Sequence, residues 1–150
     1  MVSVSSSGPN LKQLARQITS QAAAKKAQAV LALADAVDHG TLEIQDALEA
    51  AVTPTGERRA EQGGFAGRHK TALMVASISN NSHNPEYDGE RTVMAMGWFP
   101  GNFEEYFIEQ DLGLNGIPAA HAGFSGFDVA NRIMVTHLVE WEQGDLQFNE

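Results

Sequence analysis

Apolar residues recur at helical spacing along much of this chain. Leu11, Leu14, Ala15, Ile18 and Ala22 lie three and four apart, and the alanine-rich run from Gln21 to Asp38 extends the stripe through Ala27, Val30, Leu31, Ala34 and Val37. That spacing puts them on one helix face, although the pattern leaves open whether it is one helix or two with a break near Thr19-Ser20. Gly40, following His39, reads as a C-terminal stop, and Thr41 reads as the N-cap of a second helix with Glu43 in its first turn. The second helix carries Leu42, Asp46, Leu48, Glu49 and Val52 and is closed by Thr53-Pro54-Thr55-Gly56.

The periodicity then changes. Residues Glu57 to Lys70 are polar, contain Gly63, Gly64 and Gly67, and read as a flexible loop. Thr71 to Ser79 is short and apolar, one helical turn feeding a strand that starts at about Val75. A turn-rich connection from Asn80 to Glu90 ends in the turn signal Asp88-Gly89 and leads into a second extended run, Arg91 to Trp98. The two runs predict a broad hairpin in a small antiparallel sheet. Asn102 is the expected N-cap of a helix with Glu104 and Glu105 in its first turn, Phe103, Tyr106, Phe107 and Gln110 on one face, and Gly113 as its stop. After a loop, Gly126-Phe127-Asp128 opens a last helix striped by Val129, Ile133, Met134, His137, Leu138 and Trp141 and ended by Gly144.

Helices, then strands, then a short and a long helix make an α+β chain, since strands and helices do not alternate as in a parallel α/β sheet. The domain division is a serine-rich arm over 1–10, one α+β domain over 11–146 and a tail over 147–150. A chain of 150 residues suits one core.

Composition narrows the function classes. Without cysteine there is no disulfide scaffold, thiolate metal site or cysteine nucleophile, and an intracellular origin is favoured. The first ten residues lack the basic and apolar regions of a signal peptide, and no apolar run approaches the ~20 residues of a membrane span. Nineteen acidic against ten basic residues, a net charge of −9, argue against general binding to nucleic acid or anionic membranes. A passage that lets DNA slide without gripping it is compatible with acidic walls.

The candidate chemistries are sparse. His39, His69, His83, His121 and His137 include no pair at the spacing that sets two imidazoles on one helix face, so no metal or other cofactor is expected. Gly123-Phe124-Ser125-Gly126 is an incomplete nucleophile elbow, and His121, Ser125 and Asp128 are the residues a small hydrolase would use. Gly63-Gly64-x-x-Gly67 follows no strand and is too loose for a phosphate loop. Glu105 and Glu109, four apart, repel one another unless a cation intervenes. The aromatic block Trp98, Phe99, Phe103, Tyr106 and Phe107 serves either as core or as interface anchors.

Four strings, in order, carry a family resemblance: a helical N-terminal third; Thr53-Pro54-Thr55-Gly56-Glu57-Arg58-Arg59; GRHKTALM from Gly67 to Met74; and Gly97-Trp98 leading to YFIEQDLG from Tyr106 to Gly113. A proline loop, Ile117-Pro118-Ala119, and a C-terminal helix follow. Over roughly Leu42 to Leu146 the chain resembles the small head-to-tail connector proteins of long-tailed double-stranded DNA bacteriophages, also called neck, tail-completion or minor tail proteins. Ala72 stands where that family more often has glycine.

The resemblance implies a non-enzymatic virion protein, made in the bacterial host cytoplasm, that forms a ring at the head-tail junction. It further implies a hexamer, with a dodecamer as the alternative, between an adjacent connector or adaptor protein and the tail terminator or tail tube protein, with genomic DNA passing through the lumen without sequence specificity. On this reading Trp98, Phe99, Phe103, Tyr106, Phe107, Glu109 and Asp111 lie at the junction between core and neighbour. Arg58, Arg59, Arg68 and Lys70 contact an adjacent ring or the DNA. The rival is a sequence-independent DNA-binding accessory protein using those four basic residues.

Overall fold

The computed structural model describes residues 11–68, 72–89, 91–101 and 104–142. The expected arm and tail, His69, Lys70, Asn102, Phe103, Gly144 and the side chains of Leu11, Leu14, Ile18 and Trp141 lie outside the described residues. The fold is α+β, as the order of elements predicts. Its elements are α1 (Leu11–Ala50), α2 (Pro54–Glu61), α3 (Leu73–Ala76), β1 (Ile78–Asn80), β2 (Glu86–Asp88), β3 (Arg91–Val93), β4 (Met96–Trp98), α4 (Glu105–Leu112) and α5 (Ala122–Glu142).

The first correction concerns Gly40, which does not stop a helix. α1 is continuous for 40 residues, about 60 Å at 1.5 Å per residue. Thr41 is no N-cap either: its hydroxyl donates to the Val37 carbonyl at 2.7 Å, one turn back. Glycine inside a helix costs about 1 kcal/mol relative to alanine, and here tertiary packing offsets it. A Cβ at Gly40 would lie 2.6 Å from Met96 Sδ and 2.7 Å from the Gly126 carbonyl oxygen. Gly40 and Gly126 are thus the point where α1 and α5 touch backbone to backbone.

Around that crossing the buried residues are small: Ala32 and Ala36 on α1, Ala122 and Ala130 on α5. Further along, Ile44 and Leu48 of α1 meet Met74 and Val75 of α3, Ile78 of β1 and Phe107 of α4 in the main core. Asp35 ties the long helices at the other end, its carboxylate 3.0 Å from His137 Nε2 and 3.2 Å from His39 Nδ1.

The segment read as a loop over 57–70 begins as helix. Thr53 Oγ1 accepts from the Gly56 amide at 3.1 Å, Pro54 occupies the first turn, and α2 runs to Glu61. An N-cap hydroxyl followed by proline is a helix start, so this string opens α2 as well as following α1. In the next segment α3 extends to Ala76 and the strand starts at Ile78, later than expected.

The broad hairpin is present in two parts. β1 pairs antiparallel with β4, Ile78 opposite Trp98, and β2 pairs with β3 across the Gly89 turn, Glu86 opposite Val93. Asn81 joins the two ladders, its amide donating to the Ala95 carbonyl at 3.2 Å while its side-chain oxygen accepts from the Ala95 amide at 2.7 Å. Asn80 and Ser82 bond Asp38 of α1 and hold the hairpin base to that helix.

Two helix starts differ from expectation. Glu104, expected in the first turn, occupies the N-cap position of α4 and makes no side-chain cap. α5 begins at Ala122 instead of 126, because Asp111 caps it from a distance: Oδ1 accepts from the Ala122 amide at 2.5 Å and Oδ2 from the Gly123 amide at 3.2 Å. Gly113 does stop α4, in the left-handed conformation at φ 74°.

Candidate interaction surface

α5 is apolar on two opposite faces. Ala122, Gly126, Ala130 and Ile133 turn towards the body, three and four residues apart. Half a turn away, Phe124, Phe127, Val135 and Leu138 are 73%, 60%, 57% and 46% exposed. With Asn131 in their middle, they too follow the three- and four-residue spacing of one stripe. The small residues are therefore inside and the large ones outside. Close α1–α5 approach requires the former, and nothing in the described residues covers the latter.

Phe127 also borders an apolar groove of about 560 Å³ between α1, β4 and α5, with Val37, Met94, Met96 and Met134 among its walls. Leu31 of α1, 69% exposed, adds to the apolar surface. Beyond it, every described side chain of α1 from Lys12 to Ala27 is exposed, an overhang of about 25 Å. On this stretch Lys26 Nζ lies 5.9 Å from the Tyr87 ring centre, near the tip of the hairpin.

Of the aromatic block expected at the junction between core and neighbour, Phe107 is buried, Trp98, Phe99 and Tyr106 are half-buried, and Phe103 lies outside the described residues. Phe107 is fully buried, tilted against Trp98 at 5.7 Å and edge-on to Tyr106 at 4.8 Å. Trp98 Nε1 donates to the Met74 carbonyl at 2.8 Å. Tyr106 is half-buried; burial, helped by the Glu104 carboxylate, pushes its phenol above the ordinary value and keeps it neutral. Phe99 is half-exposed in a shallow recess beside Asn81 and His83.

The acids of that block also turn inward. Asp111 is buried as the α5 cap, and Glu109 accepts from Asn115 Nδ2 at 2.8 Å. Sequence reasoning missed Phe124, Phe127 and Val135. The signal for them was the doubled stripe of α5, with small residues on one face and large on the other.

The basic residues divide. Arg58 is exposed on α2, whereas Arg59 and Arg68 turn into a cleft of about 400 Å³ between α2, the end of α4 and the Gly116–Pro118 loop. Arg59 Nη2 donates to the Gly67 carbonyl at 2.9 Å, and Arg68 Nη1 to the Pro118 carbonyl at 2.6 Å. Arg68 is only 8% exposed, and burial pushes its guanidinium below the ordinary value, partly countered by Asp111. Arg58 and Arg59 thus lie on α2 and not on the loop expected over 57–70.

The hydrolase candidates are not assembled. Gly123 to Gly126 lie on the opening turns of α5, not on a strand-to-helix elbow. Asp128 pairs with Arg132 at 2.5 Å, and no hydrogen bond joins the side chains of His121, Ser125 and Asp128. Among the described residues, no group of three or more His, Asp or Glu is placed to hold a metal ion, and no helix is long and apolar enough to cross a membrane. No protein-family model, curated protein or solved structure matches this chain.

Proposed function

We propose that this chain is a structural subunit that closes into a ring with copies of itself at the head-tail junction of a long-tailed double-stranded DNA bacteriophage. The observation that carries the reading is the outward stripe of Phe124, Phe127, Val135 and Leu138 on α5. Covering a large apolar side chain completely is worth roughly 1.5–3 kcal/mol, so such a stripe favours association of the acidic chain. Contiguous apolar patches rimmed by polar residues mark interaction sites. A ring places two different faces of each copy in contact, and the α5 stripe and the Met-lined groove beside it are two adjoining apolar features for such contacts.

The strings that carry the family resemblance support the same reading, because they fall at the joints of the fold. Thr53 caps α2, Asp111 caps α5, and Gly113 ends α4. Ala72, at the position where the family more often has glycine, has φ 59°, the region glycine favours. The rival reading, a DNA-binding accessory protein, draws less support, since Arg59 and Arg68 face a cleft and Arg58 alone of the described three is exposed.

The test is assembly without the chain. Filled heads and separate tails should accumulate, and added purified chain should join them, appearing in electron micrographs as a ring open enough to admit a duplex. Head-tail joining that proceeds normally in its absence would overturn the proposal.

A further inference from the structure

The Arg59–Arg68 cleft has donors without acceptors. Each guanidinium carries five N–H donors, and among the described residues each donates to one backbone carbonyl, Arg59 to Gly67 and Arg68 to Pro118. The Nε of both is buried without a partner. Among the described residues no carboxylate comes within ion-pair distance of either. The nearest acid in the electrostatics of Arg68 is Asp111, whose oxygens already serve the Ala122 and Gly123 amides.

A cation turned away from solvent with donors unfilled is costly to maintain, and Asp111 offsets the burial of Arg68 only in part. The remaining polar walls among the described residues, Thr53, Thr55 and Gln110, are neutral donors and acceptors, with no acid among them. The site thus offers two cationic forks in one recess. Among anions, the recess selects by shape and field. A duplex presents its phosphates along a broad polyanionic surface, which a chain of net charge −9 repels. One carboxylate on a side chain can enter a recess of this size.

We propose that the Arg59–Arg68 cleft is a carboxylate-binding site, filled in the assembled state by an acidic side chain of a neighbouring protein subunit. It deepens the assembly reading and rests on it for the source of the carboxylate. The two are nevertheless separable, because the site can be probed on the isolated chain.

The experiment follows the arginine Nε–H resonances of the full ¹⁵N-labelled chain while sodium acetate replaces sodium chloride at constant ionic strength, with Arg68→Met and Arg59→Met as assignments and controls. The expected result is a saturable shift of the Arg59 and Arg68 signals. Arg68→Met should keep the fold and weaken acetate binding about tenfold or more, the equivalent of losing a hydrogen bond to a charged group. Linear, non-saturating drift common to all arginines, or no shift, would overturn the site whatever the state of assembly. If a short duplex DNA produces saturable shifts and acetate does not, the carboxylate assignment falls and the cleft is a phosphate site. Should Arg68→Met fail to fold, the Arg59→Met variant and the wild-type titration still decide. Acetate binding by a chain that forms no assembly would sink the ring reading and leave the carboxylate site standing.

Discussion

At the scale of single residues, the most informative positions are those whose partners lie far along the chain. Asp111 caps α5 across eleven residues of sequence. No periodicity announces this, because the acceptor sits on one helix and the donors on another after an irregular loop. Replacing Asp111 with alanine should therefore cost about 1–2 kcal/mol, the range of a lost N-cap, read as a lower midpoint in urea unfolding. Asp111→Asn, which keeps an acceptor oxygen, should lose less. Ala72 is the opposite case, legible from the strings that resemble the connector family. Its left-handed backbone, φ 59°, carries a penalty of about 1–2 kcal/mol for a residue with a Cβ. Ala72→Gly should accordingly stabilise the chain by about 0.5–1 kcal/mol after glycine's greater entropy loss, measured in the same unfolding series. The inward turn of Arg59 and Arg68 was hidden for the reason that hid Asp111: their acceptors, the Gly67 and Pro118 carbonyls, belong to irregular segments.

Among elements, the hairpin, the Gly113 stop, the C-terminal helix and the helical character of α1 were readable, since alternation, turn residues and three-to-four spacing are local signals. The misplaced boundary at Gly40 has a tertiary cause. Glycine there is a contact surface for α5, and local propensity treats it as a break. Gly126 on the facing helix makes the same contact, a Cβ there falling 2.5 Å from the Gly40 carbonyl oxygen. Gly126→Ala should push the helices apart at a cost of about 1–3 kcal/mol, the usual penalty for overpacking, visible as a lowered thermal midpoint. α2 was missed because its residues are polar all round and only Thr53-Pro54 marks its start. Every described side chain of α1 from Lys12 to Ala27 is exposed, whereas helices of this length normally draw their stability from packing. Hydrogen exchange of its amides should be fast in the isolated chain and slow by at least an order of magnitude in the assembly, about 1.4 kcal/mol of added protection per tenfold.

Across the whole molecule, the α1–α5 crossing is built from small residues while large apolar ones of α5 stand outside. α1 and α5 approach through Gly40, Gly126 and alanines, which leaves Phe124, Phe127, Val135 and Leu138 on the far side of α5. That division is the reason for proposing that the chain belongs to an assembly, and for proposing the outer face of α5 as its interface. The deciding measurement is the mass of the purified chain by light scattering across a dilution series, beside the Phe124→Glu, Leu138→Glu double variant. The wild type should approach a closed multiple of 16.1 kDa at high concentration, and the variant should stay at one chain mass with unchanged helix content. A wild-type chain that remains at 16.1 kDa at the highest concentration reached, or a variant that assembles as the wild type does, would contradict the account.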